Sequence, residues 1–151
     1  MDVFQEAERL QQIPLFNKLD PARLKLLAFT SEAISWQDGD ILCRIGEPSD
    51  TVFVILEGEV EILGTVDGEE VVLFTKSKDE LVGEMAVLSN APRSATLRAR
   101  GDVKTLNISN DAFLRLITEN STVALSVMKQ LSDKLALSTR ELERVKSEAL
   151  A

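Results

Sequence analysis

Residues 82–96 of the chain read VGEMAVLSNAPRSAT, and this stretch decides how the rest of the sequence is interpreted. Its glycine, Gly83, is followed by helix formers and then by a turn around Pro92. Both flanking regions are instead rich in β-branched residues, which favour strands. A short helical insertion inside a strand-rich region is a place where binding residues are expected, because scaffolds of strands commonly carry function on their connections.

The residues of this stretch suit an anion and a sugar at the same time. A glycine followed by a helical turn presents unpaired backbone N–H groups, which bind anions. Arg93 offers a planar fork of donors suited to phosphate, and small Ala95 lets the backbone come close. Glu84 would repel an anion, but it can accept a hydrogen bond from a ribose hydroxyl. Together with the hydroxyl of Ser94, these residues predict a site for a nucleotide that carries a ribose.

Short strands punctuated by glycine surround the stretch, from about residue 32 to residue 108. Six of the seven glycines lie between residues 39 and 101 at predicted turns, and Asp67-Gly68 between apolar runs predicts a hairpin. Many short strands at this spacing favour an antiparallel sandwich, roll or barrel. The strand candidates are Ile34–Trp36, Ile41–Arg44, Val52–Leu56, Val60–Leu63, Val71–Thr75, Ala95–Arg100 and Val103–Ile108.

Helices are predicted at both ends of the chain. Asp20-Pro21 is a helix start, because the aspartate caps free N–H groups and proline suits the first turn. Phe113, Leu116 and Ile117 indicate a helix after residue 110, and Asn120-Ser121 offers a break before a long last helix.

The last helix has an apolar seam with the spacing of a heptad repeat. This pattern predicts a dimeric coiled coil, and a helix packed on its own domain is the alternative. The charged side chains off the seam are expected to be exposed, with ion pairs between residues four apart. The seam residues are Met128, Leu131, Leu135, Ser138, Leu142, Val145 and Ala149, and the charged residues are Lys134, Arg140, Glu141, Glu143, Arg144 and Lys146.

The composition excludes several classes of function. The chain has 151 residues and a net charge of -8, and it shows no run of Lys and Arg, so nucleic-acid binding is disfavoured. It has no histidine, the commonest metal ligand and general base, and no nucleophile–base pair stands out. We therefore expect no catalytic site, no metal and no cofactor. The single Cys43 excludes an internal disulfide and a cysteine-rich iron–sulfur site.

The sequence also lacks the signals of export or of a membrane span. The N-terminus is acidic and does not read as a signal peptide. The longest unbroken apolar run, Val52–Leu56, is far shorter than the roughly 20 residues that a membrane helix needs. We expect a cytoplasmic protein that does not bind a membrane.

Residues 82–88 and 92–96 resemble the phosphate-binding cassette of cyclic nucleotide-binding domains. The stretch from Gly46 to Asp50, followed by the apolar and glycine pattern to Leu63, is similar to the same family, and the resemblance covers about residues 13–145. It implies a mainly β fold, an antiparallel β-roll or jelly roll (double-stranded β-helix), with N-terminal helices and a long C-terminal helix. The whole chain, 1–151, is then one domain, with helices at 1–30, a roll at 31–108 and helices at 109–151.

The resemblance assigns roles to individual residues. Glu84 would hold the ribose 2′-hydroxyl and Arg93 the cyclic phosphate, and Ser94 would touch phosphate or base. The backbone around Gly83, Met85 and Ala86 would complete the phosphate cradle, Ile62, Leu73 and Val82 would line the apolar side, and Ser138 and Thr139 would reach the base. The implied ligand is cAMP; a domain selective for cGMP is the alternative, which the hydroxyl of Ser94 leaves open.

The resemblance also implies how the protein would signal. The sensor is similar to that of bacterial catabolite activator proteins, but the chain ends after the long helix without a DNA-binding domain. We expect a stand-alone receptor that rearranges its C-terminal helices when ligand binds, pairs as a homodimer through the last helix and acts on an unknown effector protein. A sensor domain cut from a longer protein, and a dimerisation or adaptor module without a ligand, remain open.

Overall fold

The computed structural model describes residues 3–150 and contains six strands and five helices within them. Two helices come first, the strands follow with one short helix among them, and two helices end the chain. The elements are α1 (Val3–Gln11), α2 (Pro21–Thr30), β1 (Glu32–Trp36), β2 (Ile41–Cys43), β3 (Thr51–Val66), β4 (Glu69–Lys76), β5 (Leu81–Val82), α3 (Glu84–Ser89), β6 (Thr96–Ser109), α4 (Asn110–Glu119) and α5 (Ser121–Leu150).

The strands form one antiparallel sheet built around two long strands. The order is β1-β6-β3-β4, and β2 pairs with β6 while β5 pairs with β3. The pairing of β3 with β6 runs from Thr51↔Ser109 to Leu63↔Thr96 and forms the spine of the fold. The predicted fold class, an antiparallel β-roll with flanking helices, is confirmed.

Two of the predicted strand boundaries are wrong. The strands predicted before and after Gly58 are one strand, β3, and those before and after Gly101 are one strand, β6. The register between β3 and β6 shifts on both sides of Glu57. Gly58 has φ +89°, and a Cβ there would lie 2.3 Å from the carbonyl oxygen of Asp102. The glycine therefore marks a bulge and a close backbone approach inside a strand, not its end. Strand β5 is too short to be seen in the sequence.

The β3–β4 hairpin places one side chain of the candidate site. Asp67 and Gly68 both have positive φ, 51° and 80°, as the predicted two-residue hairpin turn requires. Ile62 pairs with Phe74 and the next residue of β3 with Val72, so Leu73 is an extra residue on β4. A Cβ on Gly64 would lie 2.5 Å from Leu73 Cδ1, so the bulged leucine packs where this glycine leaves room.

The core consists of two clusters on either side of the sheet. The larger one packs α1, α2, α4 and the start of α5 against β3 and β6, with Phe16 and Phe113 fully buried at its centre. The smaller one lies inside the roll beside the candidate site and includes Cys43, Phe53, Ile55, Val60, Val82, Leu97, Ala99 and Val103. The predicted cap of α2 is confirmed, since Asp20 Oδ1 accepts a hydrogen bond from the Arg23 backbone at 2.9 Å.

Helix α5 is buried only near its start. Val123 and Val127 are buried, while Leu135 and Leu142 of the predicted seam are 68% and 56% exposed. The predicted break before Ser121 is confirmed. The expectation that all the charged side chains off the seam are exposed is wrong for Lys134, whose side chain is only 21% exposed and faces the roll.

Candidate functional site

Two adjoining cavities lie between the roll, α3 and α5. The inner one has a volume of about 70 Å³ and the outer one about 470 Å³. They share part of their walls, namely Ile62, Met85, Ser94, Ala95 and Lys134. The inner cavity holds the charged groups, and the outer one is mostly apolar, so the pair offers a polar end and an apolar end to one ligand.

Gly83 seats α3 against the arginine of the inner cavity. It precedes the helix with φ 81° and ψ 2°, a left-handed conformation that glycine adopts without strain. A Cβ at this position would lie 2.7 Å from Arg93 Nη1 and 3.2 Å from the ring of Phe53. A glycine is therefore needed both for the turn into α3 and for the approach of the guanidinium.

The backbone around Arg93 is fixed by the loop that follows β2. The Arg93 N–H donates to the carbonyl of Glu47 at 2.8 Å, and the Gly46 N–H donates to the carbonyl of Arg93 at 2.8 Å. The hydroxyl of Ser49 donates to the carbonyl of Ala91 at 2.6 Å. The upstream stretch from Gly46 thus holds the second half of the cassette in place, which explains why the two patterns occur together in the sequence.

The guanidinium of Arg93 is almost completely buried, at 4% exposure. Nη1 donates to the carbonyl of Gly83 at 3.0 Å and Nη2 to the carbonyl of Thr51 at 2.6 Å, while the ring of Phe53 lies 5.5 Å from the guanidinium carbon. The carboxylate of Asp50 is 4.0 Å away but 84% exposed, so water screens this pair. Arg93 Nε is buried without a hydrogen-bond partner. The arginine is thus rigidly held and has a donor left over.

Glu84 is the most buried charged residue of the site, at 2% exposure, and lies in the first turn of α3. Its Oε1 accepts a hydrogen bond from Lys134 Nζ of α5. Its Oε2 is buried and has no partner. Buried polar atoms are normally hydrogen-bonded, so the unsatisfied Glu84 Oε2 and Arg93 Nε together indicate that something else completes this site.

The outer cavity is mostly apolar, with a few polar side chains in its wall. Aliphatic side chains from β3, β4 and α5 and the ring of Phe74 form most of its wall, and two hydroxyl groups face it. Its lining residues are Ile62, Leu73, Phe74, Lys76, Met85, Ser94, Ala95, Leu131, Lys134, Leu135, Leu137 and Ser138.

The structure brings together all of the predicted site residues except Thr139. Val82, Gly83, Glu84, Met85, Ala86, Arg93 and Ser94 line the inner cavity, and Ile62, Leu73 and Ser138 line the outer one. Thr139 is exposed on α5 and is not part of either wall. The site thus combines residues of the roll and of α3 with residues of α5, which are far apart in the sequence.

The sequence interpretation missed Lys134 and Phe74. Lys134 precedes Ser138 by four residues, so the two share a helix face, and this spacing is the signal that could have found it. Phe74 follows the predicted Leu73, and only the bulge in β4 puts both neighbours on the wall.

Cys43 also lines the inner cavity, and its thiol is buried. Burial raises the pKa of the Cys43 thiol, and the positive charge of Arg93 opposes that rise only in part. The thiol is therefore protonated at neutral pH and a poor nucleophile.

Within residues 3–150, no group of three or more Asp, Glu, Cys or His side chains is placed to hold a metal ion. No helix in the same part of the chain is both long and apolar enough to cross a membrane.

Comparisons with known proteins point to one family. The model of the cyclic nucleotide-binding domain matches residues 33–120, more than half of the chain. A cAMP-dependent protein kinase regulatory subunit of Blastocladiella emersonii is 33% identical over 109 residues, which are 72% of this chain and 27% of that protein. The chain thus spans about a quarter of the length of this curated relative.

Solved structures show the same fold. The sensor domain of the transcriptional regulator DNR from Pseudomonas aeruginosa is 27% identical, with a TM-score of 0.76 over 92% of this chain and 94% of that one. The regulatory subunit of a cAMP-independent protein kinase A from Trypanosoma brucei is also 27% identical, with a TM-score of 0.73 over 87% of this chain and 48% of that one. The proteins that this chain resembles thus include regulatory subunits of both a cAMP-dependent and a cAMP-independent kinase.

Proposed function

The chain belongs to the cyclic nucleotide-binding domain family, and on that premise we propose that it is a cytoplasmic cAMP receptor that catalyses no reaction. The observation that carries the proposal is the pair of unsatisfied buried atoms, Arg93 Nε and Glu84 Oε2, in the wall of one small cavity. One is a donor on a cation and the other an acceptor on a carboxylate. A ribose cyclic phosphate supplies what each lacks, an anionic oxygen and a hydroxyl.

In this proposal, each part of the ligand occupies a different part of the two cavities. The cyclic phosphate lies against Arg93 and the backbone around Gly83, Met85 and Ala86, and the ribose hydroxyl donates to Glu84. The base extends into the outer cavity, where Ser94 and Ser138 are the nearest hydroxyl groups. A volume of about 470 Å³ is within the usual range of small-molecule sites.

We expect α5 to be the wall of the site that moves when the ligand binds. The roll side is fixed by backbone pairing, whereas α5 packs on the core through Val123, Val127 and Leu131 near its start and is exposed from residue 135 to residue 150. The ligand therefore shifts the population between two positions of α5, which is how the receptor signals.

The exposed seam of α5 supports pairing with a second copy of the chain. Met128, Leu135, Leu142 and Val145 are between 49% and 68% exposed, an unusual density of exposed apolar side chains on one helix. Their heptad spacing suits a parallel coiled coil. We include the homodimer and an effector protein that reads the position of α5 in the proposal.

Isothermal titration calorimetry of the nucleotide-free chain with cAMP, and separately with cGMP, tests the function. Saturable binding of one cAMP per chain, tighter than cGMP, is the expected result. If cGMP binds more tightly than cAMP, cGMP replaces cAMP as the proposed ligand. If neither nucleotide gives heat or raises the melting temperature of the folded chain, the receptor function is wrong and a ligand-free adaptor takes its place, because a ligand of the folded state must stabilise it.

A further inference from the structure

Lys134 is the one residue of α5 that reaches the charged end of the site. It lines both cavities, and its ammonium donates to Glu84 Oε1 across 50 positions of sequence. The carboxylate is 2% exposed and the lysine side chain 21% exposed, so the pair is largely removed from water. A buried carboxylate without a counter-charge would be costly, and in this structure Lys134 supplies that charge.

The two oxygens of Glu84 have different surroundings. Oε1 is occupied by Lys134, and Oε2 is buried and unsatisfied. A ribose hydroxyl can therefore bind Oε2 while the lysine stays on Oε1. Because the lysine fixes one oxygen, it also fixes the direction in which the other one points.

The charges of the site agree with this arrangement. Arg93, Lys134 and Glu84 are the charged residues that line the inner cavity, and their charges sum to one positive charge. Lys76 lines only the outer cavity, and Asp50 lies near Arg93 but is exposed and screened. A cyclic phosphodiester carries one negative charge, so binding neutralises the inner cavity only if Lys134 remains in it. If the ligand displaced Lys134, a carboxylate and a phosphate would share one arginine in a poorly solvated cavity.

We propose that Lys134 is a positioning residue of the ligand site: it holds one oxygen of Glu84 so that the other faces the ribose hydroxyl, and it thereby ties α5 to the bound nucleotide. This inference rests on the proposed function, since it needs a ribose phosphate in the cavities. In this proposal, the contact between Lys134 and Glu84 connects the occupied site to α5, the helix that moves.

The test compares cAMP affinities of the full chain by calorimetry. Lys134→Met removes the charge and keeps a long unbranched side chain with good helix propensity. We expect the dissociation constant to rise about 5- to 150-fold, the usual range of coupling between two sites. Lys134→Arg keeps the charge and should restore binding to within a few-fold of the wild type. Lys129→Met, on the exposed face of the same helix, is the matched control and should leave the affinity unchanged.

A double-mutant cycle separates positioning from a general effect of charge. In a Glu84→Gln background, Lys134→Met should change the affinity by less than about threefold, because the group that it positions is gone. The 2′-deoxy analogue of cAMP gives a second measurement. The wild type should bind it more weakly than cAMP, and Lys134→Met should reduce that difference.

The outcomes separate this inference from the proposed function. If the wild type does not bind cAMP, the function fails before Lys134 is tested. If the wild type binds but Lys134→Met binds equally well, or loses the same factor in both Glu84 backgrounds, the positioning role is refuted. If the Lys134→Met chain does not fold, two other variants decide the question. One is Lys134→Arg, and the other is the double variant of Glu84→Gln with Lys134→Met, in which both charges of the pair are removed. A double variant whose affinity for cAMP lies within about threefold of that of Glu84→Gln alone supports the inference, and one that binds cAMP much more weakly refutes it.

Discussion

Replacing Arg93 by alanine should remove most of the affinity for cAMP and leave the chain folded. Arg93 is 4% exposed, and its Nε has no hydrogen-bond partner among residues 3–150, so a phosphate oxygen there would make a charge-assisted hydrogen bond away from water. Loss of such a contact costs about 2–4 kcal/mol of binding free energy. At about 1.4 kcal/mol per tenfold, the dissociation constant should rise roughly 30-fold to several hundredfold.

The same substitution has a separate effect on stability, which the assay must measure. It leaves the carbonyls of Gly83 and Thr51 without their donors and removes the cation from the face of Phe53. One unsatisfied buried carbonyl costs about 1–3 kcal/mol. Both of these hydrogen bonds are only partly buried, so water can reach the freed carbonyls, and we expect about 1–3 kcal/mol for the pair. For a chain of this length, that lowers the melting temperature by about 2–12 °C and still leaves a folded protein.

Calorimetry with cAMP, run well below the melting temperature of each variant, separates the two effects. Arg100→Ala is the control, since this arginine lies on β6 with its side chain 63% exposed and paired only with Glu59 on the surface. It should bind cAMP like the wild type. A folded Arg93→Ala chain whose affinity for cAMP lies within threefold of the wild-type value would refute the placement of the phosphate.

Three further predictions follow from single contacts. Gly83→Ala should weaken cAMP binding at least about tenfold in calorimetry, because a Cβ would lie 2.7 Å from Arg93 Nη1 and the residue has positive φ. Gly39→Ala is the control for backbone strain alone, since Gly39 also has positive φ but has open space around it. Cys43 should react with iodoacetamide at pH 7 much more slowly than in the denatured chain, because burial raises the pKa of its thiol. Saturating cAMP should slow this reaction further, and an unchanged rate with ligand would argue against occupation of the inner cavity. Leu142→Glu should turn a dimer into a monomer in analytical ultracentrifugation without removing nucleotide binding, since this seam residue is 56% exposed and lines neither cavity. A wild-type chain that is already monomeric would contradict pairing through α5.

The sequence predicts the fold and the polar end of the site because both depend on local patterns. The cap at Asp20, the hairpin turn at Asp67-Gly68 and the short helix after Gly83 each need particular residues at particular positions, and all three form. Gly58 is misread for an equally local reason. A glycine at positive φ occurs both at turns and at bulges, and only the approach of Asp102 from another strand distinguishes them.

The apolar end of the site depends on contacts that the sequence does not show. Leu73 and Phe74 are neighbours, and alternation along a strand predicts that they face opposite sides. Both line the outer cavity because the register shifts by one residue at this point of the β3–β4 pair. The sequence likewise places Lys134 only on a charged helix face, and the fold is what brings it to Glu84 of α3.

Helix α5 takes part in both proposed interactions of the protein, and this overlap connects them physically. Leu131 and Leu135 belong to the heptad seam and also line the outer cavity, while Lys134, between them in the chain, is bonded to Glu84. A base that enters the outer cavity must therefore touch the residues that would pair with a second chain. Coupling between two binding equilibria is reciprocal, so a nucleotide that changes the dimer affinity is itself bound with a different affinity by the dimer. In the proposed function, the position of α5 therefore connects nucleotide binding to pairing with a second chain.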